Sequence, residues 1–242
     1  MASLYKIAIF DIDNTLTESR MPISKNLARL LSKLIDEMPV AIISGGSLRD
    51  FEKQVISHLH HTKKENLLVL PTEGAELQVF KSGSWHKVYS HPISDHHRRM
   101  IIERLAKIAR AKPTQIGQFI EDRGGVIALH GIDKDSPLEE KYAWDPTHER
   151  RRSIIHHLEP HMHGISMKIA GSTTINFTEE GMDKAFGINK LLSYLHIKPH
   201  DAVFVGDSFE EGGNDAPALT TGVDIRRTRN PKSTESIVLE LL

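Results

Sequence analysis

The chain has 242 residues, 39% hydrophobic and 26% charged, with a net charge of -1. That length carries one large or two modest domains with a sizeable core, and the near-neutral balance argues against bulk binding to nucleic acid or to an anionic membrane. No cysteine occurs, which excludes disulfides, thiolate metal sites and cysteine nucleophiles, and no apolar run approaches bilayer length, so the expected location is cytoplasmic. The first element is an apolar, β-branched run over 4–10, the pattern of a strand buried on both faces in a parallel sheet. It breaks abruptly into Asp11 and Asp13, and Asn14 tolerates the left-handed turn that leaves the strand. Helical spacing of Leu27, Leu30, Leu31, Leu34 and Ile35 predicts a helix over 24–38, capped by Ser24 and stopped by Pro39. A strand over 40–43 then opens into Ser44, Gly45, Gly46 and Ser47, and Ser47 with Asp50 resembles a capping box for a helix running to about residue 59. A third strand over 67–70 and a hairpin through Leu77, Val79 and Trp85 follow.

From about 85 to 180 the pattern changes. The residues there predict a helix over 94–111, strands over 118–121 and 126–130 around Gly124 and Gly125, a helix over 147–157, and strands over 166–170 and 173–177. That is a small antiparallel α+β unit. The first character returns after Gly181: a helix from Lys184 to about 195, a very apolar strand over 202–205 ending in Gly206 and Asp207, a strand over 223–225 and a closing helix over 233–241. The expected fold class is therefore α/β, a Rossmann-like core of 1–84 and 181–242 with a parallel sheet, and an inserted α+β cap of 85–180 with an antiparallel sheet.

Carboxylates follow the first strand and a late strand, hydroxyls and glycines follow the second, and a lysine starts a helix. In a doubly wound sheet all can face one crevice. Phosphoryl transfer needs such a set. Asp11 is the candidate nucleophile, Asp13 the general acid and base, and Lys184 the cation beside the moving phosphoryl group. Asp11, Asp13 and Asp207, with Asp215 or Asn214 nearby, are candidate ligands for Mg²⁺, a hard ion that takes oxygen donors. Glycines and hydroxyls at the Ser44–Ser47 turn suit a phosphate, and either serine could hold it.

DIDNTLT from Asp11, the Ser44 turn, Lys184 and GDSFEEGGND from Gly206 resemble the four motifs of the haloacid dehalogenase superfamily, and Arg20, GGS from Gly45, the FIExR pattern that ends at Arg123 and GGND from Gly212 resemble its eukaryotic-type phosphomannomutases. The resemblance implies Mg²⁺-dependent phosphoryl transfer on a small sugar phosphate through an aspartyl-phosphate, with a hexose phosphate mutase as the expected activity, a sugar phosphate phosphatase as the alternative, and a non-catalytic phosphosugar-binding protein as a third reading. It also implies phosphate contacts from Arg20 and Arg123, with Lys134 and Lys141 standing where the family has arginine, and sugar contacts from Thr174 and Asn176, which replace serine and aspartate. Arg123 paired with Glu121 or Asp122 is the plainer alternative. No nucleic-acid or membrane partner is expected, and a homodimer through the cap stays open. Adjacent histidines diverge on a helix, so His96, His97, His156, His157, His161 and His163 are read as surface residues rather than a metal site, and Arg150, Arg151 and Arg152 as a solvated helix face. Met162, Met167, Trp85 and Trp144 are read as packing.

Overall fold

The computed structural model describes residues 4–60, 63–111, 119–133 and 135–242. Lys134 lies outside the described residues. The elements in chain order are β1 (Ile7–Phe10), α1 (Lys25–Glu37), β2 (Val40–Ile43), α2 (Leu48–Gln54), β3 (Leu67–Leu70), β4 (Glu76–Lys81), β5 (Ser84–Ser90), α3 (Asp95–Ala111), β6 (Phe119–Asp122), β7 (Ile127–His130), α4 (Leu138–Trp144), α5 (Glu149–Leu158), β8 (Ile165–Ala170), β9 (Thr174–Glu179), α6 (Lys184–Leu195), β10 (Ala202–Gly206), β11 (Asp224–Arg227) and α7 (Pro231–Leu241).

The larger sheet has the order β11-β10-β1-β2-β3-β4-β5, parallel from β11 to β3 and antiparallel through β4 and β5. β1 is central, and its side chains split between two cores as strand alternation requires. Ala8 and Phe10 pack with Leu27, Leu31 and Leu34 of α1 and Val238 of α7. Ile7 and Ile9 pack with Ile188 and Leu191 of α6. The sheet extends through Ser90, so the hairpin belongs wholly to it.

The smaller sheet is fully antiparallel, ordered β6-β7-β9-β8. One face is apolar: Ile127, Leu129, Ile175 and Phe177 pack with Ile101 and Leu105 of α3 and Leu158 of α5. The alternate positions, His130, Thr174 and Asn176, are buried polar residues and line the cavity beneath the sheet. The fold class expected from the sequence is thus present. The two connections between the sheets lie side by side, with the Ser94 amide donating to Glu179 Oε1 at 2.8 Å and His97 Nδ1 2.6 Å from Glu179 Oε2.

Three local expectations are corrected. The helix after Ser47 stops at Gln54, because Val55 leaves helical geometry (φ -128°, ψ -59°) before a short 3-10 turn, Ile56–His58. The helix α4 was not expected, since seven residues are too few to show a period. Arg151 does not belong to a solvated face: it is 1% exposed and forms an ion pair at 2.9 Å with Asp145. Among the described residues no helix is long and apolar enough to cross a membrane.

Candidate active site

Asp11 follows β1 directly, and its amide donates to the Val205 carbonyl at 3.0 Å, which holds it beside β10. Asn14, with φ of 61°, makes the turn away from the strand. Gly206 ends β10, and a Cβ there would lie 2.4 Å from Asp215 Oδ2, so glycine is what lets Asp215 tuck beneath the strand end. Asp215 Oδ2 accepts from the amides of Asp207 and Ser208 at 2.9 and 3.0 Å. Its Oδ1 accepts from Lys184 Nζ at 2.6 Å, and Asp11 Oδ1 accepts from the same ammonium at 2.5 Å. Lys184 occupies the first turn of α6, set by the Asp183 cap, and is fully buried.

Oxygens of Asp11, Asp207 and Asp215 lie within 4.8 Å of one another. Burial, and then the charges of Asp215 and Asp207, push the Asp11 carboxyl well above the usual range against the pull of Lys184. Burial and then Asp215 push Asp207 up to about 7. Burial works against the charge on Lys184, but Asp11, Asp215 and Glu73 outweigh it and drive its pKa up. Crowded oxygen donors that resist losing their protons are a site short of positive charge, and the set fits a hard divalent cation. Both oxygens of Asp215 are already bonded, so Asp11 and Asp207 are the better direct ligands. The Asp13 carboxylate stands outside that trio. Its Oδ1 accepts from the Arg20 amide at 2.8 Å, and the left-handed Gly171 (φ 49°) of the β8–β9 turn comes over it, a Cβ there standing 3.8 Å from Asp13 Oδ2.

Asp11, Asp13, Asp207 and Asn214 line a cavity of about 90 Å³ between the sheets. Ser44, Gly45 and Gly46 line it as expected, with Ser44 Oγ accepting from the Gly46 amide at 3.3 Å. Ser47 does not line it; its hydroxyl donates to Asp50 Oδ2 at 2.8 Å, and its amide donates to the same oxygen at 2.7 Å in the capping box. Thr174 and Asn176 of β9 line it as well, as do Arg20, Arg123 and Lys141.

The three cations differ in how far their donors are committed. Arg123 Nη1 donates to the Gly45 carbonyl and Nη2 to Glu121 Oε2, each at 2.7 Å, so its guanidinium ties the small sheet to the Ser44 turn. Arg20 Nη1 lies 3.4 Å from Asp50 Oδ1. Lys141, 4% exposed, makes no ion pair or side-chain hydrogen bond with a described residue, and burial, with Arg20 nearby, lowers its pKa. Among the described residues, Lys141 is the lysine or arginine of the cavity lining without an ion pair.

Sequence reasoning missed Glu73 and His130, and it had Glu121 as a salt-bridge partner of Arg123, which it is. Glu73 is buried and accepts from Asn176 Nδ2 at 2.6 Å and Asn214 Nδ2 at 3.5 Å. It sits in a left-handed run with Thr72 and Gly74 (φ 54°, 59° and 86°) just after β3. A carboxylate behind an apolar strand, the signal that marked Asp11, was present there. Gly45 lies against this pair: a Cβ would come 2.2 Å from Asn176 Nδ2 and 2.8 Å from Glu73 Oε1. Gly45→Ala is therefore expected to prop the two sheets apart, cutting kcat/KM tenfold or more while costing about 1–3 kcal/mol of stability. Parallel kinetics and thermal unfolding check this, and an active variant with unchanged kcat/KM shows that the contact is not needed for closure.

The model of the family described as eukaryotic phosphomannomutase matches residues 27–242. The chain is 27% identical over 218 residues to a phosphomannomutase of Spinacia oleracea, covering 86% of this chain and 84% of that one. It is 27% identical to a probable phosphomannomutase of Caenorhabditis elegans, covering 99% and 98%, and 23% identical to the phosphomannomutase of Saccharomyces cerevisiae, covering 97% and 93%. Among solved structures, an IMP-bound mutant of the Plasmodium falciparum IMP-nucleotidase superposes with a TM-score of 0.72 at 17% identity, covering 98% of this chain and 67% of that one. A phosphatase of the haloalkanoate dehalogenase superfamily from Bacteroides thetaiotaomicron gives 0.64 at 15% identity, covering 98% and 95%. At those identities the structures speak for the fold.

Proposed function

The chain belongs to the eukaryotic phosphomannomutase family and is an enzyme of the haloacid dehalogenase superfamily, and from that premise we propose that it catalyses Mg²⁺-dependent phosphoryl transfer on sugar phosphates as a hexose phosphate mutase. The larger sheet with its helices is the catalytic core, and the smaller one is the cap that closes over the substrate. The observation that carries this reading is the division of charge in one cavity. Lys184 lies buried behind the cavity, paired with Asp11 and Asp215, while Lys141, with no ion pair to a described residue, lines the cavity together with Arg20 and Asp11. A ligand with one phosphate at Asp11 and a second at Lys141 and Arg20 fits that division.

Asp11 Oδ1 is held by Lys184, so Oδ2 is the attacking atom, taking the phosphoryl group to give an aspartyl-phosphate. Ser44 and the glycines after it receive the phosphoryl oxygens. Asp13 gives a proton to the leaving sugar oxygen and takes one from the incoming hydroxyl. Its Oδ1 is engaged by the Arg20 amide, which assigns that proton to Oδ2. Mg²⁺, held by Asp11 and Asp207 with Asp215 or Asn214 beside them, neutralises charge on the phosphoryl oxygens when bound.

The test supplies mannose 1-phosphate and glucose 1-phosphate with Mg²⁺, with and without a hexose 1,6-bisphosphate, and follows both 6-phosphate and free phosphate. Activator-dependent isomerisation, lowered about tenfold or more in Lys141→Ala, supports the mutase. The second reading, a sugar phosphate phosphatase, is favoured by one observation: Arg123 Nη1 and Nη2 each already hold a protein oxygen, of Gly45 and Glu121, which leaves fewer of its donors for a second phosphate. Free phosphate as sole product, unchanged in Lys141→Ala, selects it.

The metal reading has its own pH signature. Burial and the neighbouring Asp215 charge push the Asp207 carboxyl up to about 7 in the fold, against 3.8 for the free group. Below the lower value the carboxyl is protonated folded or unfolded; between the two values only the folded chain holds the proton. Stability without metal therefore falls as pH rises through that window. Mg²⁺ displaces this proton, so its stabilising effect is expected to grow from pH ~5 to pH ~7 and then level off. Melting temperatures with and without Mg²⁺ across that range check it; a Mg²⁺ effect independent of pH sinks it.

A further inference from the structure

We infer that His130 is a positioning residue that fixes Thr174 as a hydrogen-bond acceptor, so that the β9 wall of the cavity selects a ligand hydroxyl and turns away a phosphate. This rests on the reading of the substrate as a sugar phosphate and says which part of it meets the cap.

His130 and Thr174 are register partners of the antiparallel pair β7 and β9. Their neighbours Leu129 and Ile175 point into the apolar core of the small sheet, so strand alternation turns both polar residues to the cavity. His130 is 2% exposed, and its imidazole joins two other side chains in a chain: Nδ1 is 3.0 Å from Thr174 Oγ1, and Nε2 is 3.2 Å from Glu121 Oε2.

The direction of that chain follows from the charges. His130 and then Arg123 hold the Glu121 carboxyl well below the usual carboxylate range, so it is an ion that only accepts. Burial, with Arg20 and Arg123 adding to it, lowers the pKa of His130 and keeps the ring neutral. A neutral ring carries one proton, and the carboxylate claims it at Nε2. Arg123 Nη2, 3.4 Å from the same nitrogen, has the nearer and charged Glu121 oxygen at 2.7 Å. Nδ1 is then an acceptor, Thr174 donates its only proton to it, and the lone pairs left on Oγ1 accept from the ligand.

Asn176, two residues along the same face of β9, reinforces this polarity. Its Nδ2 donates to Glu73 at 2.6 Å, and its Oδ1 is buried with no partner. These two β9 side chains thus offer acceptors. Phosphate oxygens are acceptors too and are met by the Arg20 and Lys141 side chains of the same cavity rather than by Thr174 Oγ1 and Asn176 Oδ1, whereas ring hydroxyls bring those two oxygens the missing protons.

Two measurements test this. Nitrogen shifts of His130 in the whole protein are expected to report the neutral Nε2–H tautomer, and the Nδ1–H tautomer overturns the inference. In kinetics and in calorimetric binding, wild type is expected to disfavour at least one monodeoxy hexose 1-phosphate about tenfold, the worth of one lost hydrogen bond. His130→Phe and Thr174→Val should each raise KM for the parent sugar about tenfold, with a smaller change in kcat, and erase that discrimination. Unchanged discrimination in both variants overturns the role of His130 while leaving the sugar phosphate reading intact. Absence of any sugar phosphate binding to wild type overturns both.

Discussion

Asp11→Asn is expected to lower kcat by at least about 10³-fold, as loss of a nucleophile does, while leaving the melting temperature unchanged or raised. The two effects separate because of what surrounds the side chain. Asp11 is 3% exposed, and burial together with Asp215 and Asp207 pushes its carboxyl towards the neutral form. Asparagine is close in shape to that neutral form and removes one of three crowded acids. Lys184 is not orphaned, since Asp215 Oδ1 still accepts from it at 2.6 Å. What disappears is the anionic oxygen that attacks phosphorus, and no other described carboxylate stands in its place: Asp207 follows a different strand and Asp215 is bonded through both oxygens. The stabilising effect of Mg²⁺ should shrink in the same variant, because one of its two best placed ligands becomes neutral. Sugar phosphate turnover and thermal unfolding, with and without Mg²⁺, check this. A variant that keeps more than about a tenth of wild-type kcat sinks the role of Asp11 as nucleophile.

Two of the residues that sit where a buried strand ends were legible in the sequence, because a carboxylate directly after an apolar run must be met by a cation, a donor or a ligand. Asp11 after β1 and Asp207 after β10 announce themselves this way, and Lys184 does so as the first residue past a helix cap. The division into a mostly parallel sheet and an antiparallel one was legible for a related reason: phosphate-type turns vanish between 85 and 180 and return afterwards. What stayed hidden depends on partners distant in sequence. His130 alternates with apolar neighbours like any strand residue, and only its register with Thr174, 44 positions away, gives it a proton acceptor's role. Arg123 could be read from its pattern but not that its guanidinium reaches the Gly45 carbonyl, 78 positions away. Ser44 and Ser47 were equivalent in the sequence until the capping box claimed Ser47.

Arg151 is the largest departure from the sequence reading, and Arg151→Ala is expected to cost about 3–5 kcal/mol of stability, the range for breaking a buried ion pair from one side. Nothing local to three consecutive arginines distinguishes the middle one, but the fold does. Arg151 Nε donates to Asp145 Oδ2 at 2.9 Å, and Nη1 donates to the Gly171 carbonyl at 2.8 Å. Asp145 in turn accepts from the amides of Arg150 and Arg151 at 3.0 and 3.2 Å, closing the first turn of α5. Truncation leaves a carboxylate with side-chain exposure of 2% and no counter-charge, and strips the Gly171 carbonyl of its donor. The consequence reaches the active site, because that glycine lies over Asp13. Activity should therefore fall along with stability, and hydrogen exchange should rise in the β8–β9 turn. Removing the acid as well, in Arg151→Leu with Asp145→Asn, should recover part of the loss, since the unpaired charge and not the missing contact dominates it. Denaturant unfolding of the two variants decides the point. A loss in Arg151→Ala below about 1 kcal/mol, the range of an exposed pair, would mean that the guanidinium is solvated after all and the β8–β9 turn is held by its strands alone.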